Sequence, residues 1–217
     1  MSLNPKVQIM LEKCYTIENN YRLFNFNMCI RYLNYLGRKK YGSDFSLNPD
    51  DRDILHKLIS YAISSEEQCE HHGLDLKKGI LLTGPVGCGK TSLMTLLPEF
   101  MFRFQKYPVK STREIATEFH KDGYEVIHNY GRRQKPICLD DLGVEQNVKH
   151  FGNECNTVGE ILLQRYDMHV NYGIITHATT NLNADELEKI YGNRVRSRLR
   201  SMFNLVSFPE SCKDKRK

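Results

Sequence analysis

The octapeptide Gly84-Pro85-Val86-Gly87-Cys88-Gly89-Lys90-Thr91 constrains this chain more than any other sequence feature. It satisfies the pattern G-x-x-x-x-G-K-[ST] in full, and it lies between an apolar run, 79–83, and a helix-like stretch, 90–104. Glycines at these positions let successive backbone N–H groups face a phosphate, and the positive end of the following helix adds to the attraction. The loop therefore predicts a strand–loop–helix unit that binds phosphate.

Two side chains at the end of this loop are expected to carry the nucleotide chemistry. Lys90 would neutralise the β and γ oxygens of ATP, and the Thr91 hydroxyl would ligate Mg²⁺. The predicted nucleotide contacts comprise the eight residues of the loop and Ser92. Cys88 fills a free position of the motif near a helix N-terminus, where thiol pKa values tend to fall. Any small residue would serve equally well there.

An apolar run that ends in two acids follows some fifty residues later, as Ile137-Cys138-Leu139-Asp140-Asp141-Leu142-Gly143. Adjacent carboxylates at the end of a buried strand are costly without a cation, so the run is interpreted as a Walker B element. In P-loop ATPases the first acid holds Mg²⁺ and the next one polarises the attacking water. We assign Asp140 to the metal and Asp141 to the water, with Glu145 as the next candidate for the water.

Strand-like and helix-like segments alternate along most of the chain, which predicts an α/β fold with a central parallel sheet covered on both faces. Pro98 lies inside a helical pattern, so a kink or an early end is expected there. Strands are expected at 79–83, near 109, and at 136–139, 174–179 and 205–208. Helices are expected from 48 to 73, and at 90–104, 112–130, 156–169 and 184–203.

The length of 217 residues allows one sizeable domain and an appendage. Residues 1–47 are expected to form a small helical appendage, 48–208 the P-loop domain, and 209–217 a basic tail. No run approaches a membrane span, and the start lacks the features of a signal peptide, so the expected location is the cytoplasm. The seven scattered cysteines indicate reduced thiols.

The net charge of +5 is concentrated near the C-terminus, because residues from Arg194 onwards include eight Lys or Arg and two acids. This excess suggests contact with phosphate there. A solvated tail is the alternative for the last four basic residues, Lys213, Lys215, Arg216 and Lys217.

The run Ile174-Ile175-Thr176-His177-Ala178-Thr179-Thr180-Asn181 is apolar at its start and polar at its end. The amide of Asn181 would reach the γ-phosphate or its water if this strand lies beside the phosphate loop. The alternative is that Asn181 caps the following turn.

The segment 191–203 carries an apolar stripe at helical spacing, flanked by two arginine pairs. Arg194 and Arg198 share one flank, and Arg196 and Arg200 share the other. Arg194 or Arg198 is suited to reach the γ-phosphate of a neighbouring subunit, with Arg198 preferred. Arg196 and Arg200 are candidates for DNA contact or for a solvated basic face.

Taken in order, GPVGCGKT, ICLDDLG, HATTN and YGNRVRSRL resemble the AAA+ ATPases of the DnaC and IstB type, the bacterial helicase loaders and ATPase helpers of transposition. The resemblance covers about residues 48–208. It implies a three-layer AAA+ fold with a five-stranded parallel sheet, and nucleotide chemistry at Lys90, Thr91, Asp140, Asp141 and Asn181. It also implies a homo-oligomer formed on ATP binding, single-stranded DNA as a ligand, and a replicative helicase or a transposase as partner.

Two departures from the family pattern matter. Many members have Glu where this chain has Asp141, which is one methylene shorter and bears on the rate of hydrolysis. The chain ends at Lys217, so the C-terminal lid is expected to be reduced or absent. Two other classes stay open: a small-molecule P-loop kinase, which would need a lid with its own arginines between strands, and a non-hydrolysing adaptor in which ATP only orders an oligomer surface.

Overall fold

The computed structural model describes residues 5–145, 148–150 and 153–215. Its helices are α1 Pro5–Glu12, α2 Phe26–Tyr41, α3 Arg52–Ala62, α4 Glu66–His71, α5 Lys90–Leu96, α6 Thr112–Asp122, α7 Tyr124–Gly131, α8 Thr157–Tyr172, α9 Ala184–Tyr191 and α10 Asn193–Met202. Its strands are β1 Tyr15–Glu18, β2 Tyr21–Phe24, β3 Gly79–Thr83, β4 Val109–Ser111, β5 Ile137–Asp140, β6 Val148–His150, β7 Asn153–Cys155, β8 Thr176–Thr180 and β9 Phe203–Ser207.

Five strands form the central sheet in the order β4-β5-β8-β3-β9, and all their pairings are parallel. The predicted five-stranded parallel sheet is therefore confirmed. Parallel strands begin at one edge of a sheet and end at the other, so β3, β5 and β8 bring their C-terminal residues together. This edge holds the phosphate loop, the two acids and the polar end of β8.

Both faces of the sheet are covered by helices, as the continuous apolar strands require. Ile80 and Leu82 point into a cluster with α2, α3 and α5, whereas Leu81 points into a cluster with α6 to α10. The alternation follows from the two-residue period of a strand. Helix α2 contributes Tyr32 and Leu33 to the first cluster, so the N-terminal segment packs against the same core as α3.

The N-terminal segment contains a β-hairpin that the sequence analysis missed. Strands β1 and β2 are antiparallel, and the residues between them, Asn19 and Asn20, have φ values of 49° and 66°. Asparagine tolerates this left-handed conformation, which two-residue hairpin turns require. The signal was present in the sequence as an Asn-Asn pair between two alternating runs.

Several predicted helix boundaries change for local backbone reasons. The expected helix 112–130 is two helices, since Gly123 between them has φ 61°. The first helix of the P-loop domain is also divided, at Ser64, where φ is 56°. The expected early end before Pro98 is confirmed, because α5 stops at Leu96 and a 3₁₀ turn follows. Strands β6 and β7 form a second antiparallel hairpin that was not predicted.

Two negative expectations concern the described part of the chain. None of the helices there has the length and apolar character that crossing a bilayer requires. All seven cysteines are free, in agreement with the expected reduced thiols.

Candidate functional site

The phosphate loop has the strongly curled backbone that its glycines predict. Gly84, Gly87 and Gly89 have φ values of 148°, 81° and 99°, a region that side-chain-bearing residues rarely enter. Strand β3 leads into the loop, and α5 begins at Lys90 directly after it. The predicted strand–loop–helix unit is therefore confirmed.

The Lys90 ammonium is held inside the loop. Its side chain is only 6% exposed, and Nζ donates hydrogen bonds to the carbonyl oxygens of Gly84 at 2.8 Å and Pro85 at 2.9 Å. A phosphate oxygen is a stronger acceptor for an ammonium than a neutral carbonyl. The loop thus keeps a positive charge where a phosphate can replace two weaker partners.

Thr91 connects the phosphate loop to the acidic strand. Its hydroxyl donates to the Asp140 carboxylate, with the two oxygens at 2.9 Å and 3.0 Å. The predicted metal pair, Thr91 and Asp140, is therefore brought together although 49 residues separate them. A hydroxyl and a carboxylate are oxygen ligands of the kind that Mg²⁺ prefers, so the pair fits this ion.

Thr179 belongs to this network and was not singled out from the sequence. Its hydroxyl donates to Asp140 Oδ1 at 2.7 Å and accepts the backbone N–H of Asp141 at 2.8 Å. The side chain is fully buried. The polar end of the predicted strand 174–179 was the available signal, but the sequence analysis gave the functional role to Asn181.

Burial raises the pKa of Asp140 above its usual value, and the hydrogen bonds from Thr179 and Thr91 oppose that shift. The nearby Asp141 carboxylate raises the pKa further, whereas Lys90 lowers it. The two hydroxyl donors thus offset part of the desolvation of the buried carboxylate. A bound cation would favour the ionised form more strongly.

Asp141 has a backbone that turns away from the strand. Its φ is 59°, and its carbonyl oxygen accepts the Thr112 hydroxyl at 2.7 Å. Asp enters this left-handed region more readily than most residues other than Gly and Asn. The side chain is half-buried at the edge where the loop ends.

Asn181 is exposed directly after β8. The cap of the next helix is Asn183, whose side chain accepts the N–H groups of Asp185 and Glu186 in a capping box. The two roles considered for Asn181, a contact with the γ-phosphate or its water and a cap of the following turn, both stay predictions.

Glu145 has partners of its own within the chain. One oxygen accepts the Gly143 N–H at 3.0 Å, and the other accepts the Tyr191 hydroxyl. Burial, followed by the charge of Glu145, raises the pKa of Tyr191 above its usual range. The carboxylate therefore ties the segment after β5 to the end of α9.

The arginines of α10 occupy different environments. Arg196 forms ion pairs with Asp185, at 3.3 Å, and with Glu188, both on α9. Arg198 lies over the ring of Tyr166 on α8, 4.7 Å from its centroid. Arg194 and Arg200 are exposed. Arg196, which the sequence analysis named as a candidate for DNA contact, is thus paired with two carboxylates of the same chain.

Two expectations about the loop and the tail require correction. Burial raises the pKa of the Cys88 thiol, whereas a fall was considered for a helix N-terminus. The thiol is 1% exposed, so desolvation outweighs the nearby positive charges.

The tail is not simply solvated, because Lys215 contacts the phosphate loop through both its backbone and its side chain. Arg216 and Lys217 lie outside the described residues.

No protein-family model matches the chain, and no curated protein matches its sequence. Solved structures do match. The DnaC helicase loader aligns with a TM-score of 0.54 and 16% identity over 75% of this chain and 92% of that chain. DnaI aligns with a TM-score of 0.55 and 21% identity over 80% and 89%.

The replication initiator DnaA bound to AMPPCP and single-stranded DNA gives a TM-score of 0.53 and 18% identity, over 76% of this chain and 48% of that chain. At these identities the likeness concerns the fold. The chain therefore has an α/β P-loop fold like that of these structures, as the resemblance implied.

Proposed function

We propose that this protein binds and hydrolyses ATP with Mg²⁺, as an AAA+ ATPase of the DnaC and IstB type. One observation carries the proposal: the Thr91 hydroxyl at the end of the phosphate loop lies 2.9 Å from a carboxylate oxygen of Asp140. These two residues would hold Mg²⁺. When bound, the ion would neutralise charge on the phosphates.

The remaining roles follow from the edge on which the side chains lie. Lys90 would exchange its two carbonyl partners for phosphate oxygens. Asp141 would accept the proton of the attacking water. Asn181, exposed at the end of β8, would orient that water or the γ-phosphate through its amide.

Hydrolysis in this proposal needs a second subunit, which binds when ATP is present. An arginine of α10 would then reach the γ-phosphate of the neighbour and stabilise the charge of the transition state. Arg198 is the first candidate from the sequence, but it lies over its own Tyr166. Arg194 is exposed at the start of α10, which favours it as the donor.

The ligands in the proposed function are single-stranded DNA and a replicative helicase or a transposase. DnaC is a helicase loader, and one DnaA structure contains single-stranded DNA. Within this chain, the exposed Arg200 and the C-terminal charge excess support contact with phosphate. Residues 1–47 are the proposed partner-binding part, and Ile17 and Tyr21 of its hairpin are 69% and 73% exposed.

The first test of the proposal is nucleotide binding by Lys90→Ala. Removal of the ammonium should abolish ATP binding in calorimetry, while the thermal midpoint without nucleotide shows whether the variant is folded. Lys189→Ala, which removes an exposed lysine of α9, is the matched control and should bind like the wild type. Unchanged ATP affinity in folded Lys90→Ala would refute the assignment of the loop.

The second test separates an ATPase from a kinase or a non-hydrolysing adaptor. Asp141→Asn should retain Mg·ATP and lose turnover, because an amide does not accept a proton from water. Asparagine also tolerates the left-handed backbone at this position. Phosphate release without any added acceptor molecule would exclude the kinase, and binding without release by the wild type would favour the adaptor.

The third test concerns DNA. Binding of single-stranded oligonucleotides should weaken steeply with added salt, and Arg200→Glu should flatten that dependence. Arg196→Glu is a poor probe, because it breaks the ion pairs with α9. Salt-independent binding, or no binding in the presence of ATP, would count against DNA as a ligand.

A further inference from the structure

The residues after β9 turn back across the phosphate loop. We call 209–215 the C-terminal strap. The Cys212 N–H donates to the Pro209 carbonyl at 3.0 Å, which closes a turn. The Lys215 N–H then donates to the Gly87 carbonyl at 3.0 Å. The strap thus adds a backbone hydrogen bond to a loop in which three of the eight residues are glycine.

The Lys215 side chain joins three parts of the chain. Its ammonium donates to the Cys88 carbonyl at 2.8 Å and forms an ion pair with Asp51. It also lies over the ring of Phe208, 4.9 Å from the centroid. Asp51 precedes α3, Cys88 lies in the phosphate loop, and Phe208 follows β9. One cation therefore connects the three segments that meet beside the loop.

The burial of Asp51 makes its ion pair with Lys215 important for stability. Asp51 is 5% exposed, and a carboxylate in such a position is costly unless it is paired. The loop also fits the strap closely, because a side chain at Gly87 would overlap the Asp214 carboxylate. The strap is therefore packed against the loop and is more than a solvated extension.

We propose that Lys215 is a positioning residue of the nucleotide site, which holds the phosphate loop in its binding conformation. This inference rests on the proposed function. Glycine-rich loops lose much conformational entropy when they become ordered, and a contact that orders the loop beforehand reduces the cost of binding.

We call the contacts of Lys215 with Asp51 and Cys88 the clamp. The test measures ATP affinity in the full chain with substitutions in this clamp. Lys215→Met should raise the Kd for Mg·ATP about tenfold and leave kcat at saturating ATP nearly unchanged, since the loop, once occupied, is ordered by the phosphates. Lys215→Arg should stay within about threefold of the wild type, because it keeps the charge and the donor. Lys213→Met removes an exposed strap lysine and should leave the Kd for Mg·ATP unchanged.

Asp51→Asn keeps the test informative if Lys215→Met is unstable. It should weaken binding as Lys215→Met does, and the double variant, which leaves no unpaired charge, should be no weaker than either single one. If Lys215→Met or the double variant binds ATP as tightly as the wild type, or more tightly, the positioning role of Lys215 is refuted. Loss of ATP binding in Lys90→Ala in the same experiment would show that the proposed function itself still holds. Failure of the wild type to bind ATP would instead overturn the proposed function, and the clamp with it.

Discussion

Thr179 is the residue on which the acidic edge of the sheet depends. Asp140 is buried, and its ionised form needs donors in the absence of a cation. Thr179 supplies one donor and also satisfies the backbone N–H of Asp141. A single hydroxyl therefore couples the Asp140 carboxylate to the backbone of Asp141.

We predict that Thr179→Val weakens the response to Mg²⁺. The loss of a donor raises the pKa of Asp140 further, so more Mg²⁺ should be needed for half-maximal ATP binding. The unpaired Asp141 N–H should also cost about 1–3 kcal/mol in the free energy of unfolding. Thr180→Val is the matched control, because Thr180 is equally buried and donates to the Leu142 carbonyl instead. Equal Mg²⁺ dependence in both variants would contradict the role of Thr179.

His177 gives the fold a pH dependence of its own. Burial lowers its pKa to about 3 from an ordinary value of 6.5, and Nδ1 accepts the Ile80 N–H at 3.1 Å. Below pH 6.5 the unfolded chain binds a proton that the folded chain does not bind until about pH 3. Stability therefore falls on acidification through this window and is fully present above it.

We predict that His177→Gln flattens this dependence. Between pH 6.5 and pH 5 the wild type should lose about 1.6 kcal/mol more than the variant, because the full slope of about 1.4 kcal/mol per pH unit is reached only well below the ordinary pKa. His128→Gln, at an exposed histidine, should follow the wild type. The measurement is urea unfolding at several pH values, and parallel curves for wild type and His177→Gln would exclude this contribution.

At the scale of elements, Arg165 fastens α8 to the sheet. Its side chain is fully buried, and it donates to the Thr176 hydroxyl at 2.7 Å and to the carbonyl oxygens of Arg133 at 2.5 Å and Ile175 at 3.0 Å. Burial lowers the pKa of Arg165 to about 10, so the guanidinium stays charged at neutral pH. It ties α8 to the residues that precede β5 and β8.

We predict that Arg165→Met lowers the free energy of unfolding by about 3 kcal/mol, because buried carbonyl oxygens lose their donors. The relief of a desolvated charge limits the loss. Asp167→Met, on the exposed side of the same helix, should change stability by less than about 0.5 kcal/mol. Chemical denaturation measures this difference. An unchanged free energy of unfolding in Arg165→Met would mean that the desolvation of the guanidinium costs as much as its hydrogen bonds contribute.

At the scale of the whole molecule, the arginine proposed on α10 would serve the site only through assembly. We predict that the specific ATPase activity rises with protein concentration as neighbours complete each other's sites. Arg194→Ala or Arg198→Ala should bind ATP and hydrolyse it poorly. A mixture of that variant with Lys90→Ala should regain activity, since Lys90→Ala supplies the arginine and the arginine variant supplies the intact phosphate loop.

The two arginine variants decide between the candidates. The sequence favours Arg198, whereas its contact with Tyr166 leaves Arg194 as the more accessible one. Activity that is independent of concentration from monomer to oligomer would contradict the assembly. The assembly would also be contradicted if the two variants stay inactive when mixed, although a mass measurement shows that they form a mixed oligomer.

The sequence by itself determined the features that depend on neighbouring residues. The strand–loop–helix at 79–96, the end of α5 before Pro98 and the apolar strands of the parallel sheet follow from local patterns of glycine, proline and apolar residues. Local chemistry also placed Lys90, Thr91 and Asp140 correctly on their elements.

Only the tertiary structure decided which distant side chains meet. Thr179 reaches Asp140 across 39 residues, and Lys215 reaches Asp51 across 164. Arg196 appears solvated in a helical pattern, yet it is neutralised because α9 folds beside α10. Hydrogen bonds and ion pairs between elements depend on packing, and packing depends on the whole chain, so no local pattern contains them.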